Sequence, residues 1–273
     1  ENIVFSAGSM GGLTLIGAWK CLADKGLHSN IKGFSGCSIG SVVALLTSLG
    51  YTNEELDALS LNFRYRDYCD LQFLNTFDNL GIETGEKIEK LLSRLIYYKV
   101  GKFDLTFAEH YKITGKDLWI NASCVQEDKC YYFSRNKFPR MSVLQAVRMS
   151  IAIPIVISAV RYHGKTFIDG GFHDPCPGDM FPRDNTLVLR VKNTNKISED
   201  EHDFIKHIGL IAYSIQQRIN YKTNCALNDY KIVWLESGIS MLTLDLKKKL
   251  RKRLVNTGYQ TICQYLESNN IKC

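Results

Sequence analysis

The sequence predicts an α/β fold, with a central, mostly parallel sheet and helices on both faces. Through the first 50 residues, short apolar runs alternate with segments of helical periodicity, which is typical of consecutive β-α-β units. The 273 residues are 45% hydrophobic, which is enough for one substantial core. No Gly/Ser linker, low-complexity segment or internal repeat divides the chain, so we expect a single domain over residues 1–273.

The first elements follow from their apolar patterns. Residues 3–5 form a buried strand, and a loop of small residues leads from it into an amphipathic helix. Residues 31–35 form the second strand. The run at 42–46 is apolar on every side, which predicts a helix buried in the centre of the fold. Asn53, followed by two glutamates, is the expected N-cap of the third helix.

The remaining elements are assigned in the same way. The aromatic residues between 63 and 77 show no clean period, and two interpretations stand: a hydrophobic cluster under a long excursion, or a lipid-facing cap. Beyond them the patterns predict a helix at about 86–98, strands near 117–123 and 130–134, a short helix capped by Ser142, a strand at 186–191, an amphipathic helix over 205–215, a strand at 231–235 and a terminal helix from about Asp245.

The cysteines and the hydropathy indicate the expected compartment. Nine cysteines stand without paired C-x-x-C spacing, which favours reduced thiols over a structural zinc or a disulfide framework. No window approaches the roughly 18 apolar residues of a membrane span, and no signal peptide opens the chain. We therefore expect an intracellular, cytoplasmic protein.

The segment 36–40, Gly-Cys-Ser-Ile-Gly, matches G-x-S-x-G between a predicted strand and a buried helix. A serine in such a turn presents its hydroxyl, and Gly36 and Gly40 relieve crowding against neighbouring backbone. The helix N-terminus behind Ser38 supplies partial positive charge where an oxyanion would form. Taken alone, the five residues fit a plain strand-to-helix turn equally well.

The small-residue loop after the first strand contains Gly8, Gly11 and Gly12, and its free amides could face an anion. A dinucleotide site would require G-x-G-x-x-G and an acid at the end of the second strand, and a P-loop would require Gly-Lys-Ser/Thr; the sequence has neither. An oxyanion hole, which would stabilise the negative charge formed when Ser38 attacks an acyl group, fits the loop better. Its candidate donors are the amides of Gly8, Ser9 and Ile39.

A serine nucleophile needs a base, and the chain offers two kinds. Asp169 ends a predicted strand and is followed by Gly170 and Gly171, which permit a tight turn beside the carboxylate. An α/β-hydrolase triad would instead use a histidine C-terminal to Ser38, and the formal candidates are His173, His202 and His207. An ordinary turn also explains the Asp-Gly-Gly.

Taken in order, these motifs resemble those of the patatin-like phospholipases. Four segments carry the resemblance. The first two are the loop Phe5-Ser6-Ala7-Gly8-Ser9-Met10-Gly11-Gly12, followed by Ile16-Gly17 and Lys20, and the serine turn at 36–40, called the elbow below. The other two are Met149-Ser150-Ile151-Ala152-Ile153-Pro154 and Gly164-Lys165-Thr166-Phe167-Ile168-Asp169-Gly170-Gly171. It covers residues 2–192, so residues 193–273 form a helical and strand extension. Ala7 and Ser9 replace glycines of the family pattern, and Gly11 stands where the family has Arg or Lys, which leaves a preference for phosphate open.

The resemblance implies a fold of three layers, a central sheet between helices, and a dyad that works without histidine. Ser38 would be the nucleophile and Asp169 the general base, and a water molecule would hydrolyse the acyl-enzyme. The implied substrates are acyl esters of glycerolipids, and the implied chemistry needs no metal or other cofactor. The alternative is a non-catalytic lipid-binding or regulatory relative, although such a protein has no chemical reason to keep both Ser38 and Asp169.

The net charge of +6 is concentrated in one short run near the C-terminus. Leu246, Leu250 and Leu254 recur at helical spacing there, which predicts a helix with one buried stripe and one basic face. A solvated helix face is the simplest interpretation, and peripheral contact with an anionic membrane is the functional one; we expect no nucleic-acid partner. The membrane-surface candidates are Lys247, Lys248, Lys249, Arg251, Lys252 and Arg253.

Overall fold

The computed structural model describes residues 1–70, 81–193, 211, 214–215, 217–223, 227, 229–240 and 243–271, with the backbone alone at Ile82. Most of the helix predicted over 205–215 therefore lies outside the described residues, as do Phe73, Phe77, His202 and His207. Among the described residues, no helix combines the length and the apolar composition that crossing a membrane requires.

The strands form one large sheet and one small one. They are β1 (Asn2–Phe5), β2 (Gly33–Gly36), β3 (Gly81–Glu83), β4 (Asp117–Cys124), β5 (Lys129–Phe133), β6 (Ile155–Ile157), β7 (Val160–Tyr162), β8 (Lys165–Asp169), β9 (Thr186–Lys192) and β10 (Lys231–Glu236). The large sheet runs β10-β9-β1-β2-β4-β8-β7, with β5 also paired to β4, and β3 pairs with β6. The pairs from β10 to β4 are parallel, whereas β5, β8 and β7 join antiparallel. The predicted mostly parallel sheet is confirmed.

The predicted helices that the structure describes lie within two or three residues of their expected positions, whereas the helix Phe107–Thr114 was not predicted. Those with described bounds are α1 (Leu13–Asp24), α2 (Ile39–Ser48), α3 (Asn53–Asn62), α4 (Glu86–Val100), α5 (Phe107–Thr114), α6 (Val143–Ser150) and α7 (Lys248–Ser268). One predicted cap is wrong: α3 is capped by Thr52 rather than Asn53. The Thr52 hydroxyl accepts from the Glu55 amide and the Glu55 carboxylate accepts from the Thr52 amide, a reciprocal pair that Asn53 could not complete.

Successive residues of β1 point to opposite faces of the sheet and reach different cores. Ile3 and Phe5 pack in the main core with residues of the helices, while Val4 packs in a smaller cluster on the other face. On that second face, Arg190 of β9 donates to Asn220 within the helical residues 217–223. The α/β class with cover on both faces is thus confirmed, and burial of each large apolar side chain contributes roughly 1.5–3 kcal/mol.

The described part of the aromatic excursion packs against the main core. Phe63, Tyr65 and Tyr68 are half-buried there, and the rings of Phe63 and Tyr68 stack at 5.2 Å between centroids. This arrangement agrees with the hydrophobic-cluster interpretation for these three residues.

The C-terminal helix α7 packs against α1 with their backbones in close approach. A Cβ atom at Gly17 of α1 would collide with the Val255 carbonyl oxygen, and one at Gly258 of α7 would collide with the Thr14 carbonyl oxygen. Only glycine fits at both positions, so this helix crossing depends on two residues that carry no side chain.

The structure corrects one member of the predicted basic face. Lys247, Lys248, Lys249, Lys252 and Arg253 are exposed, but Arg251 is only 4% exposed and faces inward with Leu254 and Gly258. Its guanidinium donates to the carbonyl oxygens of Leu246, at 2.6 Å, and of Leu61, at 2.8 Å. Leu61 lies in the last turn of α3, where carbonyls lack helical partners, so Arg251 satisfies a helix end and cannot face a membrane.

Candidate active site

Ser38 occupies a sharp turn between β2 and α2. Its backbone has φ +54° and ψ −127°, a left-handed conformation that costs energy for a residue with a side chain. A Cβ atom at Gly36 would collide with the Gly40 carbonyl, and one at Gly40 would collide with the Phe5 carbonyl. Both glycines of the pattern are therefore required by close backbone approach, and the turn has the geometry expected of a nucleophile elbow.

Two further serines hold this strained turn. The amide of Ser38 donates to the hydroxyl oxygen of Ser150 at 2.9 Å, and the hydroxyl of Ser41 donates to the Ser38 carbonyl oxygen at 2.6 Å. Ser150 is fully buried as the last residue of α6. The sequence analysis included Ser150 in the family element at 149–154 but gave the residue no role. That element was the only sequence signal that pointed to Ser150.

Asp169 ends β8 and lies beside the elbow because of the strand order. The end of β2 pairs with β4 at Ile120, and Asp169 pairs with β4 at Ala122, two residues further along the same strand. Asp169 is 4% exposed and accepts from the Gly171 amide at 2.7 Å, and the Ser38 side chain is close enough to lower the pKa of its carboxyl. The sheet thus joins the two residues that the sequence singled out.

The environment of Asp169 makes its carboxylate more basic than usual. Burial raises its pKa from 3.8 to about 6, although the hydrogen bonds from Ser38 and from the Gly171 amide pull in the opposite direction. At neutral pH the carboxylate is therefore mostly ionised, and it binds a proton more tightly than an exposed aspartate does. A base with these properties suits proton transfer near pH 7.

The glycine loop lies against the elbow from the other side. A Cβ atom at Gly12 would press into the side chain of Ile39, the residue after the candidate nucleophile. Ser9 takes a positive φ of 49°, so a serine here adopts the conformation that glycine favours. The loop is held by Asn193, whose side-chain amide donates to the Gly8 carbonyl oxygen at 3.1 Å. Sequence reasoning missed Asn193, which directly follows the observed strand β9 and lies two residues beyond its predicted end.

The space beside Gly11 is filled. A Cβ atom there would collide with the Asn193 amide oxygen and touch the Ser237 side chain, which donates to that oxygen at 2.7 Å. An arginine or lysine at position 11 would have to displace this hydrogen-bonded pair. The loop therefore has no room for the cation that the family pattern has at this position.

Asn121 supports the turn after Asp169. A Cβ atom at Gly170 would lie 2.6 Å from the Asn121 side-chain oxygen, and the Asn121 amide donates to the Asp174 carbonyl oxygen at 2.7 Å. The glycine at 170 therefore permits close approach of β4, while Gly171 supplies the amide that Asp169 accepts. Asn121 opens a formal Asn-Ala-Ser glycosylation acceptor, which its place in a predicted strand discounts, and no sequence signal pointed to its role beside Gly170.

The four histidines that the structure describes all contact residues other than Ser38 and Asp169. His173, the triad candidate among them, lies 3.2 Å from the exposed carboxylate of Asp128. His110 is buried against the Ser48 hydroxyl, His28 packs edge-on against Trp19, and His163 packs against Tyr162. None of these four histidines has a contact with Ser38 or Asp169, so among the described residues no histidine stands beside the candidate nucleophile.

The chain is similar in sequence to proteins of known families. A family model described as patatin-like phospholipase matches residues 3–181. The probable lipid hydrolase 463L of Invertebrate iridescent virus 6 is 29% identical over 223 residues, which cover 81% of this chain and 73% of the relative. An uncharacterized Bacillus subtilis protein, YqhO, is 27% identical over 66% of either chain.

Solved structures share the fold at low sequence identity. VipD from Legionella pneumophila superposes with a TM-score of 0.64 at 16% identity, over 98% of this chain and 67% of VipD. ExoU from Pseudomonas aeruginosa superposes with a TM-score of 0.57 at 16% identity, over 98% of this chain and 52% of ExoU. The arrangement of sheet and helices is therefore one that known proteins adopt.

Proposed function

Because the chain belongs to the patatin-like phospholipase family, we propose that it is a lipid acyl hydrolase that cleaves glycerolipid esters through Ser38 and Asp169. The observation that carries the proposal is the placement of Ser38, on its strained turn, beside the buried Asp169 carboxylate, close enough to lower the pKa of that carboxyl. The iridescent-virus relative named a probable lipid hydrolase supports the same substrate class.

In the proposed reaction, Asp169 removes the hydroxyl proton as the Ser38 oxygen attacks the ester carbonyl carbon. The resulting oxyanion accepts hydrogen bonds from the amides of Gly8, Ser9 and Ile39, and the N-terminus of α2 favours its negative charge. The alcohol then leaves with the proton that Asp169 holds, and Ser38 carries the acyl group. Asp169 next deprotonates a water molecule, whose attack releases the fatty acid and restores the serine.

The environment of Asp169 explains how a carboxylate can serve as the base. An aspartate of ordinary basicity is a poor acceptor for a hydroxyl proton, whereas burial brings the pKa of Asp169 to about 6. The same burial keeps bulk water from screening the oxyanion, so amide dipoles act there with greater effect. The dyad chemistry requires no cofactor.

Substrate binding is proposed to occur at an anionic membrane surface. The exposed cations Lys247, Lys248, Lys249, Lys252 and Arg253 lie together at the start of α7, and each basic residue near such a surface contributes about 1 kcal/mol. Because position 11 has no room for a cation, we propose that the glycine loop does not hold a lipid phosphate. The proposed activity includes both phospholipase A and lysophospholipase hydrolysis.

Covalent labelling tests the dyad directly. A fluorophosphonate should label wild-type Ser38, and Ser38→Ala and Asp169→Asn should each abolish the labelling. Asp174→Asn is the matched control, since Asp174 is a half-buried carboxyl whose pKa burial also raises, with Tyr132 and Cys176 as its partners. Labelling that survives Asp169→Asn but is lost in a histidine variant would overturn the dyad in favour of a triad.

A lipid digest tests the substrate class. Mixed vesicles of diacyl, lyso and neutral glycerolipids are incubated with wild type or with Ser38→Ala, and the remaining lipids are measured by mass spectrometry. Loss of one glycerolipid class with wild type alone is the expected result and identifies the substrate. If the protein labels at Ser38 but every glycerolipid survives, the dyad stands and the substrate assignment is wrong.

A further inference from the structure

The crossing of α1 and α7 brings two cysteines together from opposite ends of the chain. Cys21 of α1 and Cys263 of α7 are 242 residues apart in sequence, and their sulfur atoms lie 2.9 Å apart. Among the seven cysteines that the structure describes, this is the one contact between two sulfurs, and all seven are free thiols. A pair of thiols in contact is a candidate site of oxidation.

The close approach follows from the glycine crossing described above. Gly17 lies one turn before Cys21, and Gly258 lies just over one turn before Cys263, so the two helices are in backbone contact next to the thiols. A disulfide has a sulfur–sulfur distance of about 2.05 Å. The two sulfurs, now 2.9 Å apart, would therefore need to approach by about 1 Å.

The two thiols differ in solvent exposure, so each would take a different part in an oxidation. Cys21 is fully buried, and burial together with the neighbouring Cys263 sulfur raises its pKa well above the ordinary range. Cys263 is half-buried at the surface of α7. An oxidant from solvent therefore reaches Cys263 first, and Cys21 is placed behind it as the second thiol.

We propose that Cys21 and Cys263 form a reversible disulfide that fastens α7 to α1 when a hydroperoxide is present. The Cys263 sulfur attacks the peroxide, the O–O bond breaks, and the products are a sulfenic acid and an alcohol or water. The Cys21 sulfur then attacks the sulfenic sulfur, forming the S–S bond, and its proton leaves with the hydroxyl group as water. The two sulfurs lose two electrons, which reduce the peroxide.

The disulfide would act on the helix that carries the exposed basic residues. In the thiol form, α7 is held by packing and by hydrogen bonds such as those of Arg251. In the oxidised form a covalent bond closes a loop that spans most of the chain, which restricts the unfolded state strongly. The modification therefore controls how firmly α7 is attached, and it does not depend on the proposed hydrolase activity.

Peptide mapping without reductant tests the proposal on the full chain. Purified protein is treated with hydrogen peroxide, alkylated and digested, and a Cys21–Cys263 linked peptide is expected that disappears with dithiothreitol. Oxidation should also raise the thermal midpoint by about 5 °C, reversibly. Cys263→Ala should lose both effects. Cys69→Ala is the matched control that should keep both, because Cys69 is half-buried like Cys263 but donates to the Tyr65 carbonyl oxygen.

Three outcomes would overturn the proposal. Peroxide could convert Cys263 to a sulfinic or sulfonic acid without a linked peptide, Cys21 or Cys263 could be found linked to a different cysteine, or the linked peptide could form with no change in the midpoint. Because Cys263 is at the surface, its alanine variant should fold, and equal thermal midpoints of reduced wild type and Cys263→Ala establish this.

Discussion

The amide of Ser38 donates a hydrogen bond to the hydroxyl of Ser150, across 112 residues of sequence and at 2.9 Å. Ser38 has a positive φ, and its amide is turned toward the end of α6 rather than toward its own helix. The candidate nucleophile is thus positioned by a residue that takes no part in the proposed chemistry. This contact has a measurable consequence.

Ser150→Ala should lower kcat with little change in KM, because the Ser38 amide loses its acceptor and the strained turn loses its support. An unpaired buried amide costs about 1–3 kcal/mol, which corresponds to roughly a 5- to 150-fold loss if the turn relaxes. Steady-state kinetics on a soluble ester provide the measurement. Ser150→Thr should restore the rate, since threonine keeps the hydroxyl, and Ser134→Ala is a control at another buried serine. A KM effect alone would contradict the positioning role.

The pH dependence of hydrolysis should follow the ionisation of Asp169. Because the proposed base acts as the carboxylate and burial brings its pKa to about 6, kcat/KM should rise with pH and level off above about 7. A pH profile on a soluble ester measures the inflection. An inflection near 4, the ordinary range of an exposed aspartate, would contradict the effect of burial.

The free energy of unfolding should fall as the pH rises from 4 to 7, whereas activity should rise over the same range. The folded-state pKa of Asp169 lies above its value of 3.8 in the unfolded chain, so the folded state binds this proton more tightly. The stabilisation is fully present below about pH 4 and is lost as the pH rises through 6, an effect of about 3 kcal/mol. Denaturant unfolding should therefore show that Asp169→Asn gains stability relative to wild type between pH 4 and pH 7. A constant difference across that range would argue against a desolvated carboxylate.

Arg251 and Lys252 are neighbours in sequence but should behave differently on substitution. Arg251→Ala leaves the carbonyl oxygens of Leu246 and Leu61 without their donor, and we expect a loss of about 3 kcal/mol in the free energy of unfolding. Lys252→Ala removes an exposed charge and should change stability by less than about 0.5 kcal/mol. Urea unfolding of the two variants compares them, and equal losses would contradict the inward placement of Arg251.

Binding to anionic vesicles should depend on the five exposed cations of α7. Replacing Lys247, Lys248, Lys249, Lys252 and Arg253 by glutamine should weaken co-sedimentation with vesicles that contain phosphatidylserine, and added salt should reduce the difference from wild type. Hydrolysis of a soluble ester by the same variant tests whether catalysis is intact. Vesicle binding equal to that of wild type at low salt would rule out this surface as the membrane contact.

Most of the elements and the two candidate catalytic residues could be predicted because the signals are local, whereas α5 and the three-residue strands β3, β6 and β7 were too short to give a clear period. Apolar periodicity is carried by consecutive residues, and the elbow around Ser38 needs its glycines at fixed offsets to avoid backbone collisions. The N-cap at Thr52 was missed by one residue, since Asn53 and Thr52 are both good caps and only the reciprocal bond with Glu55 distinguishes them. For Arg251 the sequence predicted exposure, because a basic residue among lysines carries no sign of an inward contact.

By itself, the sequence determined that this protein has an α/β fold with a serine elbow after its second strand and an Asp-Gly-Gly turn after a later one. Only the tertiary structure decided which distant groups meet: Asp169 with Ser38, Ser150 with the Ser38 amide, Arg251 with Leu61, and Cys21 with Cys263. The physical reason is that local propensity and periodicity act over a few residues. Contacts between distant residues depend instead on strand register and helix crossings, which packing of the whole chain sets.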